Sequence, residues 1–306
     1  MSSPKLCIGI SGLGRMGKRH ATNSHFLPAR RQRKWAAENL EGVTVYADYD
    51  EMLLKENLQA VVIASITAVH VEQTIKAIEM GHNVLCEKPL SLDVGVAQSV
   101  LTAYKTSLTQ HPTQKVMCGC SRRFDASYRE AHARMTNGAH GAPVFFRSQT
   151  ADLLDKSGFF TEYTKTSGGI FLDCSIHDID LMLWFVGEER KIKSLQAVGV
   201  KAIHKGLEKA ADNTIATVEF EGGRIAALYC TRMMAAGHED TMEIISEGGS
   251  ITFGTEAREF TDACLDDGPT PAGLESSVRA VVVGKALQGS FVSGEKVVFG
   301  EDGCGI

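Results

Sequence analysis

The apolar run Leu6-Cys7-Ile8-Gly9-Ile10 leads straight into Ser11-Gly12-Leu13-Gly14-Arg15-Met16-Gly17 and then a helix-forming stretch. No other segment constrains the fold as strongly. A strand that turns sharply into a helix over a bound dinucleotide needs glycines at set places. In the spacing GxGxxG the first makes the tight turn, the second lets the backbone approach a pyrophosphate, and the third packs helix on strand. The pyrophosphate would rest on the exposed N–H groups of the helix start. The segment therefore predicts a dinucleotide site built on Gly12, Gly14, Arg15, Met16 and Gly17.

Strand and helix patterns then alternate. Thr44 and Val45 suggest a short strand, Asp50 to Glu56 a helix, and Ala60-Val61-Val62-Ile63-Ala64 a buried parallel strand. A helix from about Ala68 to Met80 ends at Gly81, a plausible C-cap. Asn83-Val84-Leu85-Cys86 is the next strand, followed by Glu87-Lys88-Pro89. This βαβ grammar predicts a parallel sheet whose ligands bind beyond the strand C-termini. Ser65, Thr67, Glu87 and Lys88 would lie there, and His70 would begin a helix lining the cofactor cleft.

Beyond Gly119 the grammar changes. Pro143–Ala151, Ile192–His204, Asn213–Phe220, Arg224–Thr231, Met242–Ser246 and Ser250–Phe253 read as strands, with Gly222-Gly223 and Gly248-Gly249 as turns. Leu274 to Leu287 reads as a final helix. The expected fold class is an α/β Rossmann-type N-terminal domain, residues 1–119, and an α+β C-terminal domain, residues 120–306. The second domain would carry a mostly antiparallel open sheet and bind substrate.

The chain has 306 residues, with 43% hydrophobic and 23% charged, ordinary values for a soluble globular protein. Its formal net charge of -5 argues against a nucleic-acid partner, which a basic surplus would serve. No apolar run approaches the roughly 20 residues needed to span a bilayer. Eight scattered cysteines without CxxC spacing suit a reducing cytoplasm with neither disulfides nor a metal site.

The stretch Ser167 to Asp180 carries the chemistry. A helix from about Asp173 would set Asp173, His177 and Asp180 at i, i+4 and i+7 on one face. Leu172, Ile176, Ile179 and Leu183 would form an apolar stripe on another. A histidine flanked by carboxylates on an anchored helix is a good general base. The competing reading is a solvated polar face.

With these residues in place, the chain resembles the glucose-fructose oxidoreductase/inositol dehydrogenase (Gfo/Idh/MocA) family, nearest to its myo-inositol 2-dehydrogenase-like members. The match runs through Gly12-Leu13-Gly14-Arg15-Met16-Gly17, Cys86-Glu87-Lys88-Pro89, Arg122-Arg123-Phe124-Asp125, and Gly168-Gly169 through Asp180. The resemblance implies hydride transfer between NAD or NADP and a polyol or sugar carbon, in a homo-oligomer, a dimer or tetramer. It implies a catalytic lysine at Lys88, an aspartate–histidine pair at Asp173 and His177, and substrate contacts at Arg122 and Asp180.

Two segments depart from that family. One polar, helix-like stretch, Lys18 to Gly42, follows the glycines, so the second Rossmann strand and its ribose-binding carboxylate are missing or displaced. Glu38 and Glu41 stand at about the right distance but in helical context. Gly254-Thr255-Glu256-Ala257 also runs straight into a helix where the family's sheet continues. Both look like internal deletions. They keep a second reading in view, a non-catalytic dinucleotide-binding regulatory protein or a low-activity truncated form.

Overall fold

Ile8–Ser11 (β1) is buried at every residue, as the strand of a covered parallel sheet must be. It pairs with Ala60–Ile63 (β2), which pairs with Asn83–Cys86 (β3), which pairs with Val116–Cys118 (β4), every pair parallel. The connections carry the helices Arg15–Ser24 (α1), Arg33–Asn39 (α2), Tyr49–Lys55 (α3), His70–Glu79 (α4) and Val94–Ser107 (α5). Asp48 and Asp93 cap α3 and α5 by accepting from the N–H groups of Glu51 and Val96. Gly81, at φ 80°, turns the chain out of α4. This computed structural model describes residues 6–24, 33–40, 42–138, 140–204, 206–207, 210–235, 237–254 and 273–300.

The expected strand at Thr44–Val45 does not form, and no strand among the described residues lies between Ser11 and Ala60. Residues 43–46 run without regular structure into the Asp48 cap. These residues form no ladder with β1, which pairs only with β2 among the described residues and keeps its outer edge open. Glu38 sits exposed on α2, while Glu41 and the Thr255–Ala257 segment lie outside the described residues.

By contacts the chain divides into two units at Gly119/Cys120, and the last helix, Leu274–Ser293, is shared between them. Its residues up to Val278 cluster with the first unit and those from Arg279 on with the second. The expected boundary at 119/120 therefore leaves out one piece of the first unit.

The second unit is built on a seven-stranded sheet. Its strands are Pro143–Leu153 (β5), Ile192–Val200 (β6), Asn213–Phe220 (β7), Arg224–Met234 (β8), Glu239–Ser246 (β9), Gly249–Gly254 (β10) and Val297–Val298 (β11). They stand in the order β10-β9-β5-β8-β7-β6-β11, and only β5 and β8 run parallel. Gly222 and Gly223, both at positive φ, form the β7–β8 turn. The helices of this unit are Ala126–Thr136 (α6), Phe159–Ser167 (α7), Ile170–Asp173 (α8) and Ile176–Val186 (α9), with Leu274–Ser293 (α10) shared. Leu172, Ile176, Ile179 and Leu183 are all buried, but so are Asp178, Asp180, Leu181, Met182, Phe185 and Val186, so the segment is enclosed on nearly every side and not along one stripe alone. No helix among the described residues is long and apolar enough to cross a membrane.

Candidate active site

Four parallel strands place the loops after Ser11, Ile63, Cys86 and Cys118 along one edge of the first sheet. The glycines of the first loop divide their work as the spacing requires. Gly12 adopts φ 87°, and a Cβ there would fall 2.6 Å from the Ala64 carbonyl oxygen. A Cβ on Gly17 would fall 2.0 Å from the Gly12 carbonyl oxygen, so only glycine lets α1 close on the turn. Gly14 faces nothing within 4 Å. That open middle position, between two crowded ones, fits a dinucleotide pyrophosphate.

Side chains tie the neighbouring loops together. The Gln73 side-chain oxygen accepts from the Ser11 hydroxyl at 2.8 Å and the Ser65 hydroxyl at 2.9 Å. His70 opens α4 and is buried, with Nδ1 3.0 Å from the Pro89 carbonyl and Nε2 3.3 Å from that of Ser65. Burial lowers its pKa against the pull of those carbonyls. The imidazole thus spans the second and third loops. Glu87 receives His20 Nε2 at 2.6 Å, which ties α1 to the third loop. Thr67 starts the single turn Thr67–Val69, and Lys88 is half-buried after Glu87. The dinucleotide contacts expected in this unit therefore lie on the loops and the first helical turns that follow the strands along one sheet edge.

In the second unit the helix carrying Asp173 and His177 is broken. The N–H of Ser175 donates to the Ile170 carbonyl, five residues back, beside the ordinary bond from Cys174. This one-residue slip ends α8 at Asp173 and restarts the helix at Ile176. The count i, i+4, i+7 from Asp173 to Asp180 therefore does not hold as expected. Asp173, 6% exposed, accepts from Arg232 on one oxygen and from the Tyr163 hydroxyl at 3.3 Å on the other. His177 is half-buried one residue into α9.

Arg122 and Asp180 are each engaged with protein groups. Arg122 donates to Asp178 at 2.6 Å and Asp240 at 2.8 Å, and to the Thr150 hydroxyl at 2.6 Å. Ser148 and Thr150 complete the Asp178 carboxylate at 2.5 and 2.8 Å. Asp180 is gripped at both oxygens by Arg123, at 2.8 Å each, and Arg123 also reaches Glu188. Burial alone would lower both guanidinium pKa values, but their carboxylates hold them up. Sequence reasoning missed Arg123, Asp178, Arg232 and Tyr163. The signal for the first two was present, because a buried helix with two aspartates requires two cations, and Arg122-Arg123 is an adjacent pair. Arg232 and Tyr163 had no such signal, being ordinary residues of a strand and a helix. No cluster of His, Cys, Asp or Glu suited to a metal ion occurs among the described residues.

Residues 6–110 match the family model for the oxidoreductase family, NAD-binding Rossmann fold, and residues 128–252 match the GFO/IDH/MocA C-terminal domain. The scyllo-inositol 2-dehydrogenase (NAD(+)) of Bacillus subtilis is 30% identical over 262 residues, covering 80% of this chain and 73% of that protein. Among solved structures, apo scyllo-inositol dehydrogenase from Lactobacillus casei has a TM-score of 0.85 at 28% identity, over 97% of this chain and 99% of that one. A Lactobacillus casei scyllo-inositol dehydrogenase with bound cofactor NAD(H) and scyllo-inositol has a TM-score of 0.84 at 26% identity, over 96% and 99%.

Proposed function

The chain belongs to the Gfo/Idh/MocA oxidoreductase family, and we propose that it is an NAD-dependent dehydrogenase of a cyclitol such as myo- or scyllo-inositol, or of a related sugar. The observation that carries this reading is the glycine turn, crowded at Gly12 and Gly17 and open at Gly14. Its backbone N–H groups and the start of α1 would hold the pyrophosphate. Arg15, Met16, Ser65, Thr67, His70 and Glu87 would frame the rest of the cofactor.

Bound nicotinamide supplies the hydride acceptor. The protein's own part is to place the alcohol and move its proton. His177 takes the hydroxyl proton as general base. Asp173 orients the imidazole and favours its protonated form. Lys88 donates to the developing alkoxide. Arg122 and Asp180, tied as they are to Asp178 and Arg123, would touch substrate hydroxyls only with groups left over from those pairs.

The test is turnover of myo- and scyllo-inositol with NAD by the purified chain and by His177→Ala. Loss of a general base costs roughly 10²–10⁴-fold in rate, while the fold should lose only about 0.5 kcal/mol. Equal turnover by both forms would remove His177 from the chemistry. One observation favours a second reading, a dinucleotide-binding protein without turnover. Among the described residues β1 has no neighbour on its outer side, where the adenosine half of a Rossmann site is normally built. Nucleotide binding with no cyclitol or sugar oxidised would favour it.

A further inference from the structure

Phe159 and Tyr163 lie four residues apart on α7, in the second unit, so they share one face of that helix. Their rings stack, with centroids 5.5 Å apart and planes 11° from parallel. Phe159 is 69% exposed and Tyr163 36%. The anchor of the helix is the next residue, Phe160. Its ring is 3% exposed, seated with Leu207 and Ala210, and meets the His204 ring edge-on at 5.1 Å. The Arg232 guanidinium carbon stands 4.2 Å from its centroid.

The start of α7 is fixed as well. Asp155 accepts from the N–H of Phe160 at 2.7 Å, and from the hydroxyl and N–H of Ser157 at 2.5 and 2.8 Å. Those bonds hold its carboxyl down at about 2. Gly158, at φ 81°, makes the turn between Ser157 and the helix. The exposed pair therefore stands on a helix held at its start and on its buried side, and little ordering is needed when a ligand arrives.

An aromatic pair at i, i+4 by itself only stiffens a helix. What distinguishes this one is its connection. The Tyr163 hydroxyl donates to Asp173 at 3.3 Å, so the stack links a candidate catalytic carboxylate to an exposed aromatic face. We propose that Phe159, backed by Tyr163, is a subsite for a second sugar or cyclitol ring joined to the ring being oxidised. The substrates served best are then cyclitol glycosides and disaccharides. The inference rests on the assignment of Asp173 to the dehydrogenase site.

The chemistry of such rings suits this surface. A pyranose or cyclitol with equatorial hydroxyls presents a face of C–H groups with its hydroxyls around the edge. The C–H face packs flat on an aromatic ring while the edge stays hydrated or finds hydrogen bonds. A lipid or an apolar peptide needs a wider apolar surface, and the other exposed side chains of α7 are polar, Glu162 and Lys165 pairing at 2.7 Å. A ring oxidised beside Asp173 meets Tyr163 first, and a second ring joined to it comes within reach of Phe159.

The experiment uses the purified chain with NAD and two pairs of probes that differ by one ring: myo-inositol and galactinol (galactosyl-myo-inositol), and glucose and maltose. One readout is the ratio of kcat/KM, two-ring over one-ring, in wild type, Phe159→Ala and Phe159→Trp. The other is saturation-transfer NMR of galactinol and maltose, which reads contact with the outer ring without turnover. Phe159→Ala should lower the ratio roughly tenfold through the KM of the two-ring probe, and outer-ring saturation should vanish. Phe159→Trp keeps a flat aromatic face and should keep both. The ring is mostly exposed, so its truncation leaves the fold standing. An equal ratio in wild type and Phe159→Ala, or outer rings that take no saturation from the wild-type protein, would overturn the subsite and leave the dehydrogenase reading intact. A smaller oligomer in Phe159→Ala with an unchanged ratio would put a second copy on this face and overturn it too. Outer-ring saturation that depends on Phe159, with no probe oxidised by any form, would keep the ring-binding face and remove the dehydrogenase reading.

Discussion

Asp178 and Asp180 show how much of this site is electrostatic accounting. Both are at most 1% exposed on a helix whose other buried residues are apolar, and neither could be buried as a charge without a cation. Arg122 and Arg123, adjacent in the chain, supply one each. The Arg123–Asp180 pair is the more self-contained, with two parallel bonds. Arg123→Met should therefore destabilise the protein by about 3–5 kcal/mol, since it strands a buried carboxylate. Arg123→Met with Asp180→Leu should recover most of that loss. Urea unfolding of the two variants checks this, and a double variant no more stable than the single one would show that packing, not charge, sets the cost.

At the level of elements, two helix starts decide where chemistry can occur. The turn into α1 is closed by Gly17, whose hydrogen faces the Gly12 carbonyl. Gly17→Ala cannot fit without separating helix from turn, a loss of about 1–3 kcal/mol by analogy with overpacking. Gly14→Ala meets no protein atom within 4 Å and should leave thermal stability nearly unchanged while weakening NAD binding. Melting curves and NAD titration of both variants separate the two roles, and equal destabilisation would defeat the distinction. The second start, at Ile176, follows a one-residue slip in the hydrogen-bond ladder. A wheel drawn across that slip misplaces Asp180 relative to Asp173 by roughly one residue's rotation, about 100°.

For the whole molecule, the first sheet runs β1-β2-β3-β4 in simple sequence order. A doubly wound sheet binds dinucleotides where that order reverses, with loops on both sides of the crevice. Only one side exists among the described residues, and no strand-end carboxylate there follows Gly17 to meet the adenosine ribose. A hydrogen bond to a charged acceptor contributes about 1.5–3 kcal/mol, so its loss should weaken nucleotide binding by roughly ten- to a hundredfold. Calorimetry should also find NAD and NADP poorly distinguished, and tight NAD-selective binding would show that another group reads the ribose. The second sheet leaves an outer face where Val198 pairs across with Ile215, and Ile225 and Ile245 flank Phe145. Ile215, Ile225 and Ile245 are 53%, 50% and 42% exposed, an apolar surface suited to a second copy of the chain. The homo-oligomer that the family resemblance implies would use this face. Light scattering of Ile215→Lys with Ile225→Lys should read a monomer, and an unchanged mass would place the contact elsewhere.

The sequence by itself determined the elements whose physics is local. The turn at Gly12–Gly17 was legible from its spacing, with Gly17 required by the Gly12 carbonyl within the turn itself, and the strands around β2 and β7 announce themselves by apolar runs and alternation. The apolar residues of the Asp173 segment were legible as a core-forming stretch, but its burial on nearly every side, Asp178 and Asp180 included, was not. What the tertiary structure alone decided was pairing. Thr44 and Val45 have strand propensity but pair with no strand among the described residues, since strand formation depends on a neighbour that the local sequence does not encode. Asp173 finds its cation on β8, 59 residues away, and Asp180 finds Arg123 from 57 away. Charges buried by folding select partners by distance in space, so sequence could say that partners were required but not which residues they would be.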